Sequence, residues 1–124
     1  MRLLLDTHVL VWAATGDAKL SRAAVELIDD EANTLYFSAA SIWELEIKGA
    51  ERTGVVPAVL RKALLEAAYL ELPITAAHGL AVGHLPAHHR DPFDRIMVAQ
   101  AVEEGIILVT HDGAMHAYPH TLIV

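Results

Sequence analysis

The chain contains no cysteine, which excludes both a disulfide framework and any thiolate metal site. Basic residues are scarce: 9 Lys and Arg stand against 16 Asp and Glu, for a formal net charge of −7. So acidic a chain lacks the broad basic face that nucleic-acid binders usually carry. It suits a protein that gathers carboxylates around a cation, or one that takes a basic partner. No run approaches the roughly 18 to 20 apolar residues that cross a bilayer, and no basic-then-apolar leader opens the sequence. The expectation is no membrane association and a cytoplasmic protein.

What is abundant is apolar residue. At 124 residues, 54% apolar, with a mean hydropathy of +0.36, the chain is long enough for one core and too short for two. One domain over residues 1–124 is expected, with apolar surface left over for a subunit or partner interface. There are no repeats, low-complexity tracts or linkers.

Short apolar runs alternate with helical patterns. RLLLD (2–6), TLYFS (34–38), LELPIT (70–75) and IILVT (106–110) read as strands, and the tail TLIV as a possible edge strand. Helices are expected over 8–15 (ending at Gly16), 21–32 with Ser21 as N-cap, 39–52 (closed by Gly54), and 57–70 opening on Pro57. A weaker, glycine-interrupted helix follows over 76–85, and a strong one over 91–105. This rhythm predicts an α/β protein with a mostly parallel sheet and helices on both faces.

In such a sheet, sites form beyond the carboxyl ends of the strands. The first strand ends in Asp6-Thr7, the second in Ser38, and the fourth in Thr110-His111-Asp112. Each polar residue alone reads as a helix cap; several at one edge read as a site. In the helix from residue 39, Ser41, Glu44 and Lys48 share one polar strip. Glu44–Lys48 is also the spacing of an ordinary i,i+4 surface pair. In RDPFDRIMVAQA (90–101), Pro92 fits the first helical position, so Asp91 is expected to cap the helix. Asp94 then falls near the positive end of the helix dipole. Asp6, Glu44, Asp94 and Asp112 can thus surround one small volume. Clustered carboxylates repel unless a cation neutralises them. Oxygen ligands without thiolate favour Mg²⁺ or Mn²⁺ over zinc, and such a cluster suits phosphodiester hydrolysis. Lys48, Arg52, Arg90 and Arg95 flank the expected pocket and can steer phosphate.

Taken in order, LLLDTHVLVW, SAASIWELEIK, HRDPFDRIMVAQA and ILVTHD resemble the four acidic blocks of PIN-domain ribonucleases, in particular the VapC toxins of bacterial toxin–antitoxin pairs. The resemblance covers nearly the whole chain, and Pro-Phe-Asp-Arg opening an apolar helix is its most specific element. It implies a three-layer α/β/α PIN-like domain. It also implies metal-binding, catalytic roles for Asp6, Glu44, Asp94 and Asp112. Thr7, Ser38 and Thr110 would be supporting hydroxyls, with Lys48 and Arg95 beside the substrate. The implied function is a Mg²⁺- or Mn²⁺-dependent endoribonuclease, a homodimer with an RNA substrate and a cognate VapB-like antitoxin. After the fourth acid, DGAMHAYP departs from the short spacer and aromatic residue that many relatives carry.

Other readings fit less well. Zinc requires three or four ligands in fixed geometry; the eight histidines, His88 and His89 among them, read as surface or capping residues, with His111 the exception because of its neighbours. A haloacid-dehalogenase-type phosphatase needs a second Asp two residues after the first, where this chain has His8. A phospho-receiver needs an acceptor Asp after its middle strand, where this chain has Ser38. A catalytically silent PIN module that only binds a protein partner, or a non-toxin PIN nuclease of RNA processing, is the remaining alternative.

Overall fold

The structure is a computed structural model that describes residues 1–88 and 90–124; His89 lies outside the described residues. Five strands, β1 (Arg2–Leu5), β2 (Thr34–Ser38), β3 (Leu70–Leu72), β4 (Ile107–Thr110) and β5 (Thr121–Ile123), form one sheet in the order β3-β2-β1-β4-β5. Every pairing is parallel. The tail is therefore the edge strand its composition predicts.

Among the described residues seven helices flank the sheet: α1 (Thr7–Thr15), α2 (Arg22–Asp29), α3 (Ala39–Lys48), α4 (Ala50–Thr53), α5 (Pro57–Glu66), α6 (Ala76–Val82) and α7 (Pro92–Glu104). Side chains of a strand alternate between faces, which sorts the core into two layers. Leu3, Leu5, Phe37 and Val109 pack with Val9 and Leu10 of α1, Leu45 of α3, and Leu60 and Leu64 of α5. Leu4 and Leu108 point the other way, against Met97, Val98 and Ala101 of α7. Both faces of β1 are covered, so Leu3, Leu4 and Leu5 are all fully buried, each burial worth about 1.5–3 kcal/mol. This is why the strand reads as an unbroken apolar run. The result is the expected three-layer α/β/α architecture.

The boundaries show where local chemistry overrode periodicity. The single helix expected over 39–52 is two, because Gly49 (φ 84°, ψ 147°) leaves the helical region and its N–H caps Leu45 O. The helix expected to reach residue 32 stops at Asp29: Asp30 turns extended and its Oδ1 accepts from Ala32 N at 2.9 Å. The helix expected to run to residue 70 ends at Glu66, before Ala68 adopts a positive φ of 66°. β3 stops at Leu72, since Pro73 has no N–H to continue a ladder. A 3-10 turn over Gly113–Ala117, capped by Asp112, was not expected from periodicity.

Candidate active site

The chain runs outward from β1 through β2 to β3, then returns to the other side of β1 for β4. The direction of winding reverses between β1 and β4, and a crevice opens at the carboxyl ends of strands at such a point. Asp6 follows β1 and Asp112 follows Thr110 of β4. Asp94 arrives from α7. Asp6, Asp94 and Asp112, together with His8, Trp12 and His111, line one cleft of about 230 Å³ at this point.

Asp6 is fixed on both oxygens. Its Oδ1 accepts from Val9 N at 2.9 Å and so caps α1, and its Oδ2 accepts a short hydrogen bond from the Thr110 hydroxyl. The Thr110 Oγ1 in turn accepts from Asp112 N at 3.1 Å, so one threonine ties the first acid to the backbone of the fourth. Burial pushes the Asp6 carboxyl above the usual carboxylate range, and Glu44 adds to the rise. The Thr110 hydroxyl, the Val9 N–H and the His8 ring pull the other way without cancelling it.

Asp91 caps α7, as the sequence predicts. Asp91 Oδ1 accepts from Phe93 N at 2.8 Å and from Asp94 N at 3.3 Å. That satisfies two N–H groups that have no partner within the helix. Asp94, one residue on from Phe93 in the first turn, lines the cleft.

Glu44 stands outside the residues that line the cleft. It is about 4% exposed and is held by Thr7 Oγ1 at 2.7 Å and Lys48 Nζ at 2.6 Å. Since the Thr7 hydrogen is directed to Glu44, the 2.9 Å contact between Thr7 and Ser41 has Ser41 donating. The expected i,i+4 pair with Lys48 exists, but on a buried carboxylate rather than on an open surface. Among the described residues, no three His, Asp or Glu side chains are drawn close enough together to hold a metal ion.

The remaining expected residues sit further out. Ser38 caps α3 through Ala40 N at 3.0 Å and donates to Gln100 Oε1 at 2.6 Å; Gln100 is itself fully buried and donates to Leu72 O and Pro73 O. Arg95, expected beside substrate, has several partners within the protein. Its guanidinium donates to Val82 O at 3.2 Å, Pro86 O at 3.0 Å and Tyr118 Oη at 3.1 Å. Its planar fork of donors staples α6 and the loop after it to α7. Arg90 lines an apolar groove with Trp43 and Phe93.

Sequence reasoning missed Gln100 and Trp12. A glutamine on an apolar helix carries no local signal of its partners. Trp12 reads as one more apolar residue of α1, yet its ring packs edge-on against His111 (centroids 5.3 Å apart) and at a tilt to His8 (5.9 Å).

The family model of the PIN domain matches residues 3–120. Ribonuclease VapC22 of Mycobacterium tuberculosis is 32% identical over 121 residues, covering 95% of this chain and 92% of that protein. Among solved structures, VapBC2 from Rickettsia felis, bound to a DNA fragment from their promoter, matches with a TM-score of 0.72 at 18% identity, over 100% of this chain and 98% of that one. VapC20 of Mycobacterium tuberculosis, a sarcin-ricin loop cleaving toxin, matches with a TM-score of 0.68 at 18% identity, over 95% and 97%. These two structures speak for the fold, and the family model and VapC22 for descent: the chain belongs to the PIN-domain family and is homologous to its VapC-type ribonucleases.

Proposed function

We propose that this protein is a metal-dependent endoribonuclease that cleaves RNA phosphodiester bonds, and that it is the toxin of a toxin–antitoxin pair. The observation that carries the reading is the convergence of Asp6, Asp94 and Asp112 on one cleft at the switch point of the sheet. The donor set is all oxygen, in a chain without thiolate, which fits Mg²⁺ or Mn²⁺. Asp6, Asp94 and Asp112 would hold the ion, with Glu44, held by Thr7 and Lys48, as the fourth acid of the set. When bound, such an ion supplies an activated water and neutralises charge on the phosphate and the leaving oxygen.

The chain's own residues supply the order. Val9 N–H and the Thr110 hydroxyl hold the Asp6 carboxyl in one orientation. Ser41 and Thr7 relay hydrogen bonds onto Glu44, which fixes Oε1 while Lys48 neutralises Oε2. Asp94 lies in the first turn of α7, where the helix dipole favours an anion. Ser38 acts by position, setting the start of α3, and Arg95 by bracing α7. Burial is what raises the Asp6 pKa, and a divalent cation beside it would lower it.

VapC20 is a toxin that cleaves the sarcin-ricin loop, and VapBC2 carries its promoter DNA. With the kinship to Ribonuclease VapC22 beside them, we extend to this chain an RNA substrate and a VapB-like antitoxin, and propose a homodimer. A cleft of carboxylates accepts an arginine or lysine of such a partner. Exposed Trp43, Ile47, Val59 and Leu80 offer apolar surface for a partner or a second copy.

Expression of the chain alone should slow growth, and co-expression with the neighbouring small open reading frame should restore it. Purified protein should cleave RNA with Mg²⁺ or Mn²⁺, and Asp6→Asn should abolish cleavage while keeping the fold. Full cleavage by that variant, or by the parent protein in excess chelator, rejects the metal-dependent nuclease. Harmless expression at good soluble yield rejects the toxin role alone.

A further inference from the structure

The few cations of this acidic chain are unevenly committed. Six of the 9 Lys and Arg have polar partners in the protein. Arg2 donates to Glu104 O and Gly105 O, and Arg95 to two carbonyls and a tyrosine. Arg22, Lys48, Arg61 and Lys62 pair with Glu26, Glu44, Glu71 and Glu66. Among the described residues, Lys19, Arg52 and Arg90 have no such partner. Two of those three, Lys19 and Arg52, line one open groove of about 450 Å³ between α1 and the α3–α4 corner, together with Lys48.

This groove adjoins the carboxylate cleft. His8 and Trp12 line both cavities, so the half-buried indole of Trp12 is the partition between them. Its ring is braced by His8 and His111, which leaves it an ordered aromatic surface rather than a loose one. The groove also contains Asp17, but its Oδ1 accepts from Lys19 N at 2.8 Å and so serves the turn after α1. An aromatic surface beside uncommitted cations is the combination that binds single-stranded nucleic acid: bases stack, and phosphates meet Lys or Arg.

We propose that this groove seats the nucleotide next to the scissile phosphate of a single-stranded RNA, its base against Trp12 and its phosphate between Lys19 and Arg52. The proposal rests on the ribonuclease reading for the position of the cleavage point. It resolves the conflict between an RNA substrate and a net charge of −7, because the contacts are local and few. The carboxylate cleft would hold one phosphodiester while the groove holds its neighbour, with Trp12 a stacking surface that tolerates any base.

The test is binding of a short single-stranded RNA to the full chain in chelator, where cleavage does not interfere. In a Trp43→Phe background Trp12 is the remaining tryptophan, and its fluorescence should be quenched on RNA addition. The one phosphate neutralised in the groove contributes about 0.7 to the slope of log affinity against log salt on a single strand. The double variant Lys19→Gln, Arg52→Gln should lose that part of the slope. By anisotropy of labelled RNA, Trp12→Ala should weaken binding about five- to hundredfold, and Trp12→Phe should restore most of it.

An unquenched Trp12, or a double variant with parental affinity and slope, overturns the proposal. So does a polyglutamate peptide that binds as tightly and quenches Trp12 equally, which would make the groove a seat for an acidic peptide. A separate cleavage assay with Mn²⁺ keeps the two readings apart. Cleavage without groove binding overturns only the groove, and groove binding without cleavage overturns only the nuclease.

Discussion

Asp6 and Glu44 are each about 4% exposed, whereas Asp94 is half-buried and Asp112 is exposed. The buried pair is held by hydroxyls: Thr110 on Asp6, and Thr7, which itself meets Ser41, on Glu44. Burying a carboxylate is costly unless hydrogen bonds or a countercharge compensate, so this pair comes with its partners built in. The more open pair stands in the first turn of α7, which Asp91 caps, and at the start of the 3-10 turn, which Asp112 caps. Desolvation therefore weighs on Asp6 and Glu44 far more than on Asp94 and Asp112.

The sharpest break of that comparison is Asp94→Asn. Cleavage should fall to background, while the melting temperature of the metal-free protein falls less than it does for Asp6→Ala, because Asp94 is the less buried acid. RNA cleavage and thermal melting on the same preparations decide it. An equal or larger fall for Asp94→Asn would overturn the ranking by burial.

Thr110→Val removes the hydroxyl that links Asp6 to the backbone of Asp112. An almost isosteric change leaves Asp6 Oδ2 and the Asp112 N–H without that partner, at a cost of about 1–3 kcal/mol. The sign of its pH dependence follows from the elevated Asp6 pKa. The native state holds the Asp6 proton to higher pH than the unfolded chain, so Asp6 lowers stability as pH rises above its unfolded value of 3.8 through its folded one. Without the hydroxyl, that fall should begin at lower stability and extend to higher pH. Denaturant midpoints measured from acid to neutral pH check it, and a penalty independent of pH would detach Thr110 from Asp6.

Asp91→Ala should cost about 0.5–2 kcal/mol through loss of the α7 cap, with much of the cleavage retained. If Asp91 proved essential to cleavage and Asp94 dispensable, the roles drawn for α7 would be reversed. The smallest effect expected is Lys48→Gln. Lys48 is about a third exposed at its side chain, so its pair with Glu44 contributes about 0.5–1 kcal/mol after solvent screening. Because Glu44 then lacks its countercharge, the variant should gain more thermal stability from Mn²⁺ than the parent does. An unchanged Mn²⁺ shift would keep Glu44 out of the ion's surroundings.

The strands and most helices were legible because their signals are local. Leu3, Leu4 and Leu5 form a doubly covered strand, Pro92 marks a first turn, and Gly105 (φ 65°) ends α7 in the left-handed conformation. The helix ends at Asp29 and Lys48 were misread by periodicity, which does not register a side chain or a glycine turning the chain out of the helix. The arrival of Asp6 and Asp112 at one edge was legible through strand order, as parallel strands deliver their carboxyl ends there; Asp94 comes to the cleft from α7, and Glu44, expected in the same volume, is not among the residues that line it.

By itself the sequence determined the layer architecture, the cap at Asp91, and the edge to which the acids are delivered, since each depends on spacing and backbone chemistry within a few residues. Only the tertiary structure decided how those acids are held. Thr7 reaches Ser41 and Glu44 across 34 and 37 residues, and Thr110 reaches Asp6 across 104. It also turned Arg95 to the carbonyls of Val82 and Pro86, and set Trp12 as the wall between two cavities. The partner of a polar side chain is whichever donor or acceptor packing brings within about 3 Å of it. That proximity belongs to the folded chain, and no local pattern encodes it.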